Sequence, residues 1–181
     1  FNLYLGTRPG SGIFHQGLLD ETSIYDNALT LTQIQNIYNA GALGKCSNSC
    51  STSTNDLISW YRGENSAIDA HSGNNGLLAN ANTFAPGKIG RAFSMNGAGD
   101  YVEIPNSANL TPANVTLETW VNFASLDSTV VGNVPGTQRL IHKQNARSGG
   151  QGAFASYELG KTRIAGLDKM YFCINSNGGS E

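Results

Sequence analysis

Hydrophobic and polar residues alternate with a period of two in the middle of the chain, at residues 115–123. A β-strand places successive side chains on opposite faces, whereas a helix does not give this period. The pattern therefore predicts a strand whose first face carries Val115, Leu117, Thr119, Val121 and Phe123. The opposite face carries Thr116, Glu118, Trp120 and Asn122. A shorter alternating strand is predicted at 101–104, and turn-forming residues between the two predict a hairpin.

Similar short segments predict further strands at 1–5, 17–25, 57–64, 92–96, 139–143, 156–160 and 170–175. In the last of these, Met170, Phe172 and Ile174 fall on one face. One helix is predicted at 30–40, where apolar residues recur at helical spacing. Thr30 and Gln33 have the spacing of a capping box at its start.

Composition and charge narrow the fold class and exclude some partners. A chain of 181 residues with 22 glycines and 13% charged residues is typical of a turn-rich, all-β protein. The formal net charge of −2 gives no electrostatic reason to expect nucleic acid or an anionic membrane as a partner. No apolar run approaches the roughly 20 residues that span a bilayer. The chain begins at Phe1 without a signal peptide, so we expect a processed protein or a piece of a longer one.

A polar segment divides the chain. Residues 46–56 are rich in serine, threonine and asparagine and contain almost nothing to bury, so we expect a linker there. A first unit then covers 1–45 and a second covers 57–181. Cys46 and Cys50 lie in the linker, and outside the cell a disulfide between them is expected. Cys173 is either a small buried residue or a partner of one of these cysteines, within the chain or across chains.

Both units resemble parts of one known family, the laminin-G-like domains. Residues 57–143 resemble the start of such a domain through W-Y-x-x-E-N, S-G-N-N-G after Asp69, G-K-I-G-R-A-F-S-M-N-G, D-Y-V-E-I-P and T-L-E-T-W-V. Residues 3–43 resemble its end through G-L-L-D-E-T-S-I-Y-D-N-A-L-T and the helix T-Q-I-Q-N-I-Y. The resemblance implies a concanavalin A-like jelly-roll sandwich of antiparallel sheets with one short helix. It also implies an extracellular or cell-surface location.

The order of the two matches is inverted, because the tail of one repeat precedes the head of the next. The family's middle strands, including the W-H-x-V-A strand expected after Asn175, are absent. The first unit could fold back onto the second as a circular permutant, yet strands would still be missing. We therefore expect a sandwich that is incomplete within this chain, with unpaired strand edges. Other copies of the chain, or further repeats of a longer one, would supply the missing strands.

The resemblance also implies a Ca²⁺ site between the loop that begins at Asp69 and the strand that carries Asp20. Further ligands in this interpretation are Asn74, Glu21 and Asn96. Such residues suit Ca²⁺, which binds six to eight oxygens of carboxylate, amide, carbonyl and water groups. The alternative is that Asp20 and Asp69 cap turns through hydrogen bonds from side chain to backbone.

Three functions are compatible with these observations. The first is a non-catalytic extracellular module for adhesion or carbohydrate binding. The second is a structural subunit of an extracellular filament, in which neighbouring chains complete each half-domain. The third is a glycoside hydrolase on the same fold, which we consider weak. Retaining hydrolases need two carboxylates about 5–5.5 Å apart, and the E-x-D-x-x-E motif of related glucanases does not occur here. Asp20 and Glu21 are consecutive, so a regular strand would point them to opposite faces.

Several aromatic residues are candidates for binding sugars, because the faces of their rings can stack on pyranose rings. The candidates are Trp60, Tyr61, Tyr101, Trp120 and Tyr157. At strand spacing such residues are more often part of a core, so we expect Trp120 to be buried between the sheets.

Overall fold

The computed structural model describes residues 1–41, 56–127, 136–145 and 154–175, which form an all-β protein with one α-helix. The strands are β1 (Leu3–Leu5), β2 (Thr7–Arg8), β3 (Ile13–Phe14), β4 (Gln16–Tyr25), β5 (Leu57–Tyr61), β6 (Leu77–Ala79), β7 (Thr83–Pro86), β8 (Arg91–Asn96), β9 (Tyr101–Ile104), β10 (Thr116–Phe123), β11 (Gln138–Asn145), β12 (Phe154–Ile164) and β13 (Leu167–Ile174). The helix, α1, is Leu31–Ala40. Each predicted strand is present, β9 with the predicted ends and the others with shifted ends, whereas β2, β3, β6 and β7 are not among the predicted strands. The all-β fold class is confirmed, and the jelly-roll strand order stays a prediction.

Helix α1 begins where the capping box predicts. The Thr30 hydroxyl accepts a hydrogen bond from the Gln33 backbone N–H at 3.3 Å. In return, the Gln33 side-chain oxygen accepts one from the Thr30 N–H at 2.8 Å. None of the residues of α1 is buried, so the helix lies on the surface. No helix among the described residues is long and apolar enough to cross a membrane.

Two antiparallel sheets pack face to face. The first sheet has the order β13-β12-β11-β1-β9-β6. The second has the order β10-β4-β8-β7, and β5 pairs with the end of β4. A small β2–β3 hairpin stands beside them. The arrangement is a β-sandwich, in which each sheet has an inner face toward the core and an outer face.

Alternate residues of both sheets meet in one hydrophobic core. The first sheet contributes Leu3, Leu5, Val102, Ile104 and Ile141, among others. The second sheet contributes Leu19, Ile24, Phe93 and Met95. From the segment 115–123, Val115, Leu117, Val121 and Phe123 pack against this core. The prediction of an apolar face on that segment is therefore confirmed for these residues.

The two sequence units share both sheets. In the first sheet, β1 lies between β9 and β11, where Leu3 pairs with Ile104 on one side and Lys143 on the other. In the second sheet, β4 lies between β10 and the strands β8 and β5. Residues 1–41 therefore fold back onto the rest of the chain, and the relation of this arrangement to a circular permutant stays a prediction. All of the predicted linker except residue 56 lies outside the described residues.

The described sheets end in edge strands that have a partner on one side. Among the described strands, β13 pairs only with β12 and β10 pairs only with β4, so each leaves an edge unpaired. Met170, Phe172 and Ile174 are paired with residues of β12 that include Leu159 and Tyr157, which contact the core. The three β13 side chains thus share the inner face of the first sheet, yet each is about half exposed. The first sheet extends beyond the part of the second sheet that the structure describes.

Candidate functional site

Asp69 organises the loop that follows β5. Its Oδ1 accepts hydrogen bonds from the backbone N–H groups of Trp60 at 2.9 Å and His71 at 3.0 Å. Its Oδ2 accepts from the Asn74 N–H at 3.0 Å and from the Ser72 hydroxyl at 3.0 Å. Both carboxylate oxygens are therefore engaged by donors from the protein. These hydrogen bonds fit the alternative prediction, in which Asp69 caps a turn through bonds from its side chain to the backbone.

Asp20 lies in a different environment, on the outer face of the second sheet. Its carboxylate is buried, and Oδ2 accepts a hydrogen bond from the Ile89 backbone N–H at 2.9 Å. Its Oδ1 has no hydrogen-bond partner among the described residues. Burial raises the pKa of Asp20, although backbone donors that include the Ile89 N–H oppose the shift. Asp20 therefore keeps one buried carboxylate oxygen that accepts no hydrogen bond from the described residues.

The other predicted metal ligands serve local structure. The Asn74 amide donates to the Ser59 hydroxyl at 2.9 Å. The Asn96 side-chain oxygen accepts from the Ala98 N–H at 2.7 Å, within the turn between β8 and β9. The described residues contain no group of three or more His, Cys, Asp or Glu side chains placed to hold a metal ion. The fit to Ca²⁺ is therefore poor for Asp69, and the Ca²⁺ site stays a prediction.

Of the three cysteines, the structure describes Cys173. Cys46 and Cys50 lie outside the described residues, so their predicted disulfide stays a prediction. Cys173 lies on β13 opposite Glu158 and is partly exposed. It is therefore not the fully buried residue that one of the two interpretations expected.

A bulge in β4 brings Asp20 and Glu21 to the same face. Trp120 pairs with Asp20 while Glu118 pairs with Ser23, so β4 carries one extra residue there. Glu21 has a φ of 53°, which is the local cause of the extra residue. Its Oε2 accepts a hydrogen bond from the Trp60 indole N–H at 2.8 Å. Trp60 pairs with Ser23, so it shares the outer face with Trp120 and Asp20.

The expectation that Asp20 and Glu21 point to opposite faces is therefore wrong. It assumed a regular strand, which the bulge interrupts. One argument against a glycoside hydrolase fails with it. The lack of an E-x-D-x-x-E motif is unaffected.

A cleft of about 520 Å³ opens on this outer face. Its lining includes Leu18, Asp20, Lys88, Trp120 and Asn122. The register of β4 and β10 explains this set, because Asp20 is opposite Trp120 and Leu18 is opposite Asn122. The turn between β7 and β8 adds Lys88. The cleft has the size of an ordinary small-molecule site, about 300–1,000 Å³.

Gly87 makes room for the carboxylate in the cleft. A Cβ atom at this position would lie 2.5 Å from Oδ2 of Asp20 and 3.0 Å from the Cβ of Ala92. Both distances are shorter than ordinary van der Waals contact. A glycine in the turn therefore allows the buried carboxylate to reach the Ile89 backbone N–H.

Trp120 lies on the wall of the cleft, so the expectation that it is buried between the sheets is wrong. It is only partly buried, and it lies outside the hydrophobic core. The Lys88 Nζ is 4.9 Å from the centroid of its ring. The ring of Tyr38, from α1, stacks on the indole with centroids 5.7 Å apart and an angle of 28° between the planes. Sequence reasoning named Trp120 as a sugar platform but missed Lys88 and Tyr38.

A second aromatic group extends this face along β5. The Arg62 guanidinium lies 5.2 Å from the centroid of the Trp60 ring, and its Nε is 3.8 Å from Oε1 of Glu21. The Tyr25 hydroxyl donates to Oε2 of Glu118 at 2.8 Å. The outer face thus combines aromatic rings, carboxylates and cations, and the described pairs contact one another.

Comparison of the chain with protein-family models, with curated proteins and with solved structures found no match.

Proposed function

We propose that this protein is a non-catalytic extracellular module of laminin-G-like type that binds carbohydrate in the cleft on the outer face of the second sheet. The observation that carries the proposal is a partly exposed indole on the wall of the cleft, beside a buried carboxylate that has one oxygen without a partner among the described residues. Trp120 and Asp20 are opposite each other on β10 and β4. An aromatic face suits the apolar C–H side of a sugar ring, and a carboxylate oxygen suits a sugar hydroxyl.

Two further groups of the cleft support a polar, ring-shaped ligand. The exposed Asn122 side chain offers both a donor and an acceptor to hydroxyl groups. Lys88 adds a cation that lies against the indole and is itself exposed. Apolar walls with a few placed polar groups are the usual composition of a small-ligand site.

Replacement of the indole tests the proposal. On a printed array of neutral and acidic glycans, we expect Trp120→Ala to weaken binding about tenfold, because the stacking surface is lost. Trp60→Phe is the matched control, since Trp60 is on the same face but does not line the cleft. Equal binding by the wild type and Trp120→Ala would contradict the proposal.

The Ca²⁺ prediction needs a separate measurement. We propose calorimetric titration of the EDTA-treated protein with Ca²⁺, comparing the wild type with Asp20→Asn and Asp69→Asn. If Asp20 is a ligand, its replacement weakens the binding because Ca²⁺ prefers charged oxygens. A wild-type titration without heat beyond dilution would end the Ca²⁺ hypothesis and leave the sugar proposal standing.

A second proposal is that the module associates with other copies of the chain, or with further repeats, through its edge strands. The observation that favours it is that the edges β10 and β13 each pair with one strand within the described residues, and that β13 carries half-exposed apolar side chains. A strand added beside β10 would satisfy its backbone groups and cover Met170, Phe172 and Ile174. Strand completion between neighbours is the arrangement that an extracellular filament would use.

Solution mass tests this second proposal. We expect the wild type to form dimers or larger species at tens of micromolar protein, and Phe172→Lys to shift the mass toward the monomer. A charge at this position opposes the burial that association requires. Leu77→Lys is the control, because Leu77 is also exposed and lies on the opposite edge strand of the same sheet. A wild type that stays monomeric at every concentration would rule out self-association.

A further inference from the structure

The indole of the cleft already carries a stacked ring from the protein itself. The Tyr38 ring lies 5.7 Å from Trp120, at an angle of 28°. This separation is within the range of favourable stacked aromatic pairs. The stacked ring covers indole surface that a ligand's ring would otherwise use.

The helix that presents this ring is weakly seated. Leu31 is 70% exposed and Tyr38 is 68% exposed, although both are apolar or aromatic. Ile34, between them, is about half exposed. A helix of this length is marginal on its own in water, and most helices gain their stability from a buried face. Helix α1 has no buried residue, so displacement of its Tyr38 end would uncover little hydrophobic surface.

Hydrogen bonds to Thr116 hold the segment before α1, whereas the ring of Tyr38 contacts Trp120 near the end of the helix. The Leu29 N–H donates to the Thr116 hydroxyl at 3.2 Å, and that hydroxyl donates to the Asn27 carbonyl at 2.7 Å. These bonds attach the segment before the helix to the first residue of β10. Tyr38 is two turns further along and makes its ring contact near the middle of β10. The helix can therefore pivot at its first turn while the anchoring bonds stay intact.

We infer that Tyr38 is an internal occupant of the carbohydrate site, and that α1 must move aside before a ligand's ring can stack on Trp120. The inference rests on the proposed function of the cleft and specifies how access to it is controlled. The Tyr38–Trp120 stack by itself contributes about a two- to tenfold excess of the closed over the open state. A ligand then binds more weakly than it would to a cleft held open, by the same factor.

Truncation of the ring tests whether Tyr38 covers Trp120. In a Trp60→Phe background, Trp120 is the sole tryptophan of the chain, and acrylamide quenching of its fluorescence reports its access to solvent. We expect Tyr38→Ala to raise the quenching constant about twofold, while Tyr38→Phe keeps the stack and the wild-type value. Leu31→Ala is a control for truncation elsewhere on the same helix. Unchanged quenching in Tyr38→Ala would overturn the inference.

Binding to the glycan array then distinguishes an occupant from a ligand contact. Tyr38→Ala should bind about two- to tenfold more tightly than the wild type, and Tyr38→Phe should not. Weaker binding by Tyr38→Ala would overturn the inference, because Tyr38 would then contact the ligand. If no variant binds any glycan, the proposed function fails and this inference fails with it. Increased quenching in that case would still identify Tyr38 as the cover of Trp120, so the two failures are distinguishable.

Discussion

Single buried polar residues shape this protein as much as its apolar core does. Asp20 keeps one buried oxygen without a partner in the described part of the chain, and Asp69 uses both oxygens to hold a loop. His15 is fully buried, with its Nδ1 at 2.8 Å from the Gln138 side-chain oxygen. Its ring packs edge-on against Phe123. Such a residue must be neutral to remain buried without an opposite charge.

Stability should therefore depend on the protonation of His15. Burial lowers its pKa from 6.5 to about 4. The unfolded chain takes up this proton near pH 6.5 and the folded protein only near pH 4. The contribution of His15 to the free energy of unfolding thus falls as the pH drops through this window, by about 3 kcal/mol in total. Urea unfolding between pH 7 and 4 should show a shallower decline for His15→Gln than for the wild type.

The exposed His71 provides the comparison for this measurement. His71→Gln makes the same substitution at a histidine whose side chain is exposed, and it serves as the matched control. Parallel slopes for the wild type and His15→Gln would show that His15 does not titrate in this window.

At the scale of elements, the extra residue in β4 and the surface helix determine what the second sheet presents to solvent. The bulge at Glu21 gathers carboxylates on one face. Helix α1 then lies against Trp120 through Tyr38, which is its one aromatic residue. Its N-terminal capping box is the other local feature that supports it.

Loss of the cap should loosen α1 without unfolding the sandwich. Thr30→Ala removes an N-cap, which costs a helix about 1 kcal/mol. Because α1 buries no residue, we expect faster amide exchange in α1 and little change in the unfolding midpoint. Ser107 precedes a short 3₁₀ helix, Ala108–Leu110, and makes no capping bond, so Ser107→Ala is the matched control. A large fall in the midpoint for Thr30→Ala would show that α1 is part of the cooperative unit.

At the scale of the whole molecule, the first 25 residues of the sequence contribute a strand to the interior of both sheets. Strands β1 and β4 come from the first 25 residues, yet each lies in the interior of a sheet. Removal of β1 would divide the first sheet and take Leu3 out of the core, and removal of β4 would divide the second sheet and take out Leu19. The unit that folds is therefore the chain from both sides of the predicted linker.

Cleavage within the predicted linker should leave the molecule in one piece. With a protease site inserted between residues 46 and 56, we expect both fragments to elute together after cutting, because β1 and β4 pair on both sides. They should separate only in denaturant. An uncut sample of the same variant is the control. Separation on a native column would mean that the two segments do not share their sheets.

Local patterns allowed part of this architecture to be predicted. The period of two in 115–123 gave the inner face of β10 correctly, since alternation is visible in one strand. The position of Trp120 on the outer face was not predicted, because a large aromatic residue can lie on either face of a sheet. The bulge was missed because Glu21 adopts a positive φ that its residue type does not signal. The cleft depends on the register of β4 against β10, which no local pattern contains.

The central position of β1 has a consequence for biosynthesis. Leu3 is synthesised well before its neighbours Ile104 and Lys143, which lie much further along the chain. Pairing between distant segments is slow, since a long loop must close before any contact rewards it. The nascent amino-terminal segment must therefore wait unpaired, and it is the part of the chain where a chaperone would matter most during synthesis.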